Sequence, residues 1–127
     1  MSEGEITSER VFQYVLEEIL RDANVSDLEM ATINEVKQAL QITSEQHKRA
    51  HQAAIAALKE RGRQAEYELV PEDVFRRIAA RACMDGQISD GEMKLLETVS
   101  RALKVDPNEH YAIWKAVEET ARKSRQG

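Results

Sequence analysis

Apolar residues recur at helical spacing from Val11 onward. Val11, Phe12, Val15, Leu16, Ile19 and Leu20 form one stripe, and Val74, Phe75, Ile78, Ala79, Ala82 and Cys83 form another. Each predicts an amphipathic helix with one apolar face. A second stripe follows each: Met30, Ile33, Val36 and Leu40, then Met93, Leu96, Val99 and Leu103. A third helix in each half would bury His47, Ala50, Ala54 and Ala57, or His110, Ile113, Val117 and Ala121. Start signals agree with the stripes. Ser26 with Glu29, Ser89 with Glu92, Thr43 with Gln46 and Asp106 with Glu109 have capping-box spacing. Pro71 and Pro107 suit first helical positions, and Gly62 suits a helix end. No segment alternates with period two, so no strand is expected.

The stripes coincide because the chain repeats itself. Displaced by 63 positions, residues 11–54 fall on 74–117 without a gap, and twelve of the 44 pairs are identical. Val15/Ile78, Val25/Ile88, Ile33/Leu96 and Ile42/Val105 are conservative. Two copies are too few for an open solenoid, so they should close on each other about a pseudo-twofold axis. The expectation is all-α: a compact bundle of six or seven helices in one domain. Repeat 1 spans 8–61, a link spans 62–70 and repeat 2 spans 71–122. The link is read as extended or as a short extra helix, and the C-terminal ARKSRQG as a frayed tail.

Composition narrows the function. The 127 residues are 42% hydrophobic and 32% charged, with 5 Gly and 2 Pro, which fits an ordinary globular domain. The net charge of −5 is shared by both halves and argues against a nucleic-acid partner. One cysteine, Cys83, excludes an internal disulfide framework and a CxxC zinc ribbon. The polar, acidic start predicts no signal peptide, and no apolar run approaches the ~20 residues of a membrane span. A soluble, cytoplasmic protein is expected. No phosphate-cradling glycine loop, HExxH or Ser-His-Asp set is legible, so no enzyme is expected.

One stretch carries candidate chemistry. Asp85-Gly86-Gln87-Ile88-Ser89-Asp90-Gly91-Glu92 matches the back half of an EF-hand loop. Glycine permits the sharp turn, Ile88 would pair with Val25 of the sister turn, and Glu92 would clamp a hard cation with both oxygens. The front half departs from the pattern, with Arg81 and Cys83 where carboxylates belong. Asp85, Ser89, Asp90 and Glu92 remain as oxygen donors for a divalent cation, calcium or similar. Asp22, Ser26, Asp27 and Glu29 are their counterparts, with Ala23 in place of the glycine. The competing reading needs no metal: Ser-x-x-Glu caps a helix, and this is the favoured account of both turns.

The segment ARACMDGQISDGEMKLLETVSRALKVDPNEH resembles the tellurite-resistance TerB-like domain, best over 74–117 and more weakly over 11–54. The resemblance implies a small duplicated helical bundle with acidic residues gathered at one end. It also implies a non-enzymatic interaction module of the tellurite and metal-stress response, with a protein partner at the inner membrane surface. Asp85, Ser89, Asp90 and Glu92 carry it, with Asp22, Ser26, Asp27 and Glu29 in the weaker copy. The rival expectation is a degenerate EF-hand-like calcium sensor.

Other residues have milder readings. His47 and His110 are equivalent and could meet near the axis on zinc, but core-edge histidines with local bonds are the simpler case. His47 and His51, at i and i+4, are the better zinc pair yet lack a third ligand. Cys83 reads as a buried thiol, and with Ala79, Ala80 and Ala82 it forms a close-packing surface of small residues. Arg76, Arg77 and Arg81 read as solvated or paired with carboxylates. Tyr111 reads as an interface edge, with Trp114 shared between core and interface.

Overall fold

The computed structural model describes residues 7–21, 26–61, 70–85 and 90–126, the side chains of 61, 83–85, 90–92, 121, 122 and 124–126 excepted. Six helices run through these residues: α1 Ser8–Ile19, α2 Asp27–Ala39, α3 Ser44–Arg61, α4 Pro71–Asp85, α5 Asp90–Ala102 and α6 Pro107–Gln126. No strand occurs among the described residues. Pro71 and Pro107 open their helices as expected, where the missing N–H forfeits no bond. The link residues 62–69 lie outside the described residues. The expected frayed tail is instead helical through Gln126.

The packing follows the duplication. Within the repeats α1 packs on α3, and α4 on α6. Across them α1 packs on α4, and α2 on α5. The α1 and α4 helices are therefore the centre, and their expected stripes are buried through Leu20 and Ala82, with Phe12, Phe75 and Ile78 fully enclosed. Full burial of such side chains contributes about 1.5–3 kcal/mol each. Arg49 reaches from α3 to fork onto Glu9 at the start of α1, with Nη2 to Oε1 at 2.8 Å. Repeat 2 has Ala112 in place of that arginine.

The turns after α2 and α5 are duplicated down to the backbone. Gln41 and Lys104, equivalent under the 63-residue offset, have φ of 56° and 64°. In each, the amide after the left-handed residue reaches back: Ile42 N to Lys37 O and Val105 N to Ser100 O, both at 3.0 Å. This is a Schellman motif, and Ile42 and Val105 bury the apolar contact that accompanies it. Neither left-handed residue is glycine, so each Cβ carries a steric cost of about 1 kcal/mol. Gln41→Gly and Lys104→Gly should each leave urea midpoints unchanged or raise stability by up to about 1 kcal/mol, glycine's extra unfolded-state entropy offsetting part of the gain. A loss above about 1 kcal/mol would show that the side chains matter more than the backbone.

Two expectations about the core and one about a cap need correction. Met30 and Met93 are 48% and 41% exposed, not buried. Each lies one turn before the buried part of its stripe, which starts at Ile33 in α2 and at Leu96 in α5. On α3 the buried face ends on Leu58, with Ala57 only half-buried, because the longer side chain reaches the core. Asp106 caps α6 through the Asn108 amide at 2.8 Å, not through a box with Glu109. With Pro107 at the first position, the short aspartate reaches the second amide.

Candidate functional site

The acidic turn of repeat 1 enters α2 through a complete capping box. Ser26 Oγ accepts from Glu29 N at 3.1 Å, and Glu29 Oε1 accepts from Ser26 N at 2.8 Å. Two otherwise orphaned amides are thereby satisfied, and the negative charge sits at the positive end of the helix. Asp27 lies exposed in the same first turn. Glu29 itself is 4% exposed, and its second oxygen, Oε2, is buried without a hydrogen-bond partner. A buried carboxylate oxygen without a hydrogen-bond partner is costly and is the atom a cation would relieve. Asp22 lies outside the described residues.

The stronger turn of repeat 2 falls where less is described. Asp85 ends α4 and Asp90 opens α5, while Ser89 and the side chains of Asp85, Asp90 and Glu92 lie outside the described residues. So do Val25 and Ile88, the expected pair between the turns, and the Cys83 side chain. Among the described residues, no group of three or more His, Cys, Asp or Glu is placed to hold a metal. Of the eight candidate donors, then, Ser26 and Glu29 are seen together, joined by the cap. Ser26→Ala should cost about 1 kcal/mol in thermal melting whether or not calcium is present. A cost that appears only with calcium would make the serine a ligand first.

The equivalent histidines do not meet. His47 lies edge-on to Phe12 with ring centroids 5.3 Å apart, and His110 stacks on Phe75 at 5.0 Å. Each is thus a core-edge ring of its own repeat. Burial, and then the charges of Lys37 and His51, hold the His47 pKa below the usual imidazole value. The unfolded chain therefore takes up this proton first. Stability from His47 should be complete above about pH 6.5 and fall as pH drops from there toward its folded value. His47→Gln should flatten that part of a stability–pH curve; an unchanged slope would reject the assignment.

A polar cluster that the apolar stripes did not disclose lies between α1 and α4. Glu17, 1% exposed, accepts from Arg81 Nη1 at 2.7 Å and from Gln13 Nε2 at 3.0 Å. Glu18, also buried, pairs with Arg77 and with Arg21. The Arg81 guanidinium lies over the Tyr14 ring, 4.1 Å from its centroid. The duplication explains the arrangement. Under the offset Glu18 maps to Arg81 and Arg77 to Tyr14, so the Glu18–Arg77 ion pair and the Arg81–Tyr14 cation–π contact are the same contact in its two copies. Arginine in one repeat thus faces acid or aromatic in the other. Arg76 pairs with Asp73 on its own helix at 2.8 Å.

The chain matches no protein-family model, no curated protein and no solved structure. Its functional reading rests on its own side chains. Among the described residues, no helix is long and apolar enough to cross a membrane. Among the described residues, the large apolar side chains that face solvent are Leu28, Met30, Met93 and Tyr111. Three of them occupy the first turn of α2 or α5, the helices that leave the two acidic turns. Tyr111 carries Lys115 over its ring at 5.2 Å, and Trp114 packs partly buried against the core.

Proposed function

We propose that the chain is a non-enzymatic interaction module of the tellurite and metal-stress type. It would dock a protein partner in the cytoplasm, at the inner membrane surface, with a divalent cation at Asp85, Ser89, Asp90 and Glu92 as its modulator. One observation carries the docking part: Leu28, 71% exposed, with Met30 and Met93, puts flexible apolar side chains in water directly beyond the acidic turns. Methionine suits such a role because its unbranched thioether adapts to a partner's surface. The test compares capture by the native chain and by the triple variant Leu28→Asp, Met30→Asp, Met93→Asp. These side chains are exposed, so folding should survive, and a protein retained by the native chain should be lost. Equal capture by both would overturn the reading.

A second reading is the degenerate EF-hand-like calcium sensor. It is favoured by the unpaired Glu29 Oε2, which stands at the last ligand position of the repeat 1 turn. Calcium would be titrated into metal-stripped protein by calorimetry, with melting followed in parallel. Saturating heat with a melting rise that tracks RT ln(1 + [L]/Kd) supports a native-state site. Loss of that heat in Asp85→Asn assigns it to repeat 2, and loss in Glu29→Gln to repeat 1. No heat and no shift up to about millimolar calcium, the weak end for such modules, removes the cation from both readings.

A further inference from the structure

We propose that His47 and His51 on α3 form a two-nitrogen site for a borderline divalent transition-metal ion such as Zn2+ or Ni2+. The two rings lie one helical turn apart, with centroids separated by 6.3 Å. At a metal–nitrogen distance of about 2.1 Å, two imidazoles on one ion have centroids about 5 Å apart, so roughly 1 Å of closure is needed. A side-chain rotation of the exposed His51 supplies it. His47 need not move, since its edge contact with Phe12 and its half-buried position already hold it.

The site differs in chemistry from the acidic turns. Nitrogen donors select borderline ions over calcium, in the order Cu2+ ahead of Ni2+ and Zn2+. No third His, Cys, Asp or Glu joins the pair among the described residues. Water therefore completes the shell, and the site stays open to a further donor. Lys37 is the charge close enough to depress the His47 pKa, and it opposes a cation for the same reason.

The test uses the full chain, stripped of metal, at pH 7.5. Ni2+ is titrated while the histidine ring proton resonances are followed, and Zn2+ binding is measured by calorimetry. The His47 and His51 resonances should broaden together and ahead of His110, with one Zn2+ bound per chain. His51→Gln should weaken binding at least about tenfold, because one donor loses the effective concentration supplied by its neighbour. His110→Gln should leave binding unchanged, and Lys37→Gln should tighten it. Binding retained in His51→Gln, broadening of His110 alongside the pair, or no response up to about millimolar metal would each overturn the proposal.

Discussion

Arg81→Ala should destabilise the fold by about 3 kcal/mol, the lower end of the range for breaking a buried ion pair. The lower end applies because the Arg81 side chain keeps 28% of its surface in solvent, whereas Glu17 keeps 1%. The variant removes the cation at 2.7 Å from Glu17 and uncovers one face of Tyr14. Gln13 still donates to Glu17 but brings no charge. The cost is thus mainly that of a buried carboxylate losing the Arg81 cation, and Glu17→Met combined with Arg81→Met should recover most of it. Two unbranched apolar side chains fill similar volume and remove both charges of the pair together. Urea midpoints of Glu17→Met, Arg81→Met and the double variant would close the cycle. A double variant as unstable as Arg81→Ala would show that the pair is held for more than charge balance.

That cluster also marks where sequence patterning stopped. The stripe from Val11 to Leu20 identified α1 and its buried face, since one apolar face is all an amphipathic helix needs. It did not disclose that Tyr14, Glu17 and Glu18, off the stripe, are buried too. The α1 helix packs against α2, α3, α4 and α5, so part of its polar face is enclosed as well. A signal was present in the offset alignment, where Glu18 falls on Arg81 and Tyr14 on Arg77. Across the pseudo-twofold, position 18 of one copy meets the equivalent of position 14 in the other, so Glu18 faces Arg77 and Tyr14 faces Arg81. Arginines repeated at both positions would instead have faced each other as like charges.

The helix ends were more legible than the helix faces. Ser26 and Thr43 cap as their spacing demands, because a capping box is local and needs no tertiary partner. Met30 and Met93 were misplaced because a stripe tells which side of a helix is apolar, not how far the neighbouring helix extends along it. In the acidic turns the spacing Ser-x-x-Glu served two readings from the start. The observed cap at Ser26 satisfies one of them without consuming Glu29 Oε2, so the cap and a cation are compatible there rather than exclusive.

Phe12→Ala and Phe75→Ala should each cost about 3–5 kcal/mol, the range for emptying an aromatic site in a core. Both rings have no exposed surface and sit at the same place in the two central helices. Against a total stability of about 5–15 kcal/mol, either loss brings a chain of this size close to unfolding. Phe12→Leu, which keeps most of the volume, should cost about 1 kcal/mol and leaves the comparison measurable if the alanine variants do not fold. The Phe12 variants also reach the titration of His47, whose ring edge they expose. Burial is the main reason the His47 pKa is lowered, so opening that contact to water should move it back toward about 6.5. The acid-side loss of stability assigned to His47 should then shrink in Phe12→Leu and remain in Phe75→Leu, where the stacked ring is His110. Equal pH profiles for the two leucine variants would mean that Lys37 and His51, rather than the Phe12 contact, set the proton affinity of His47.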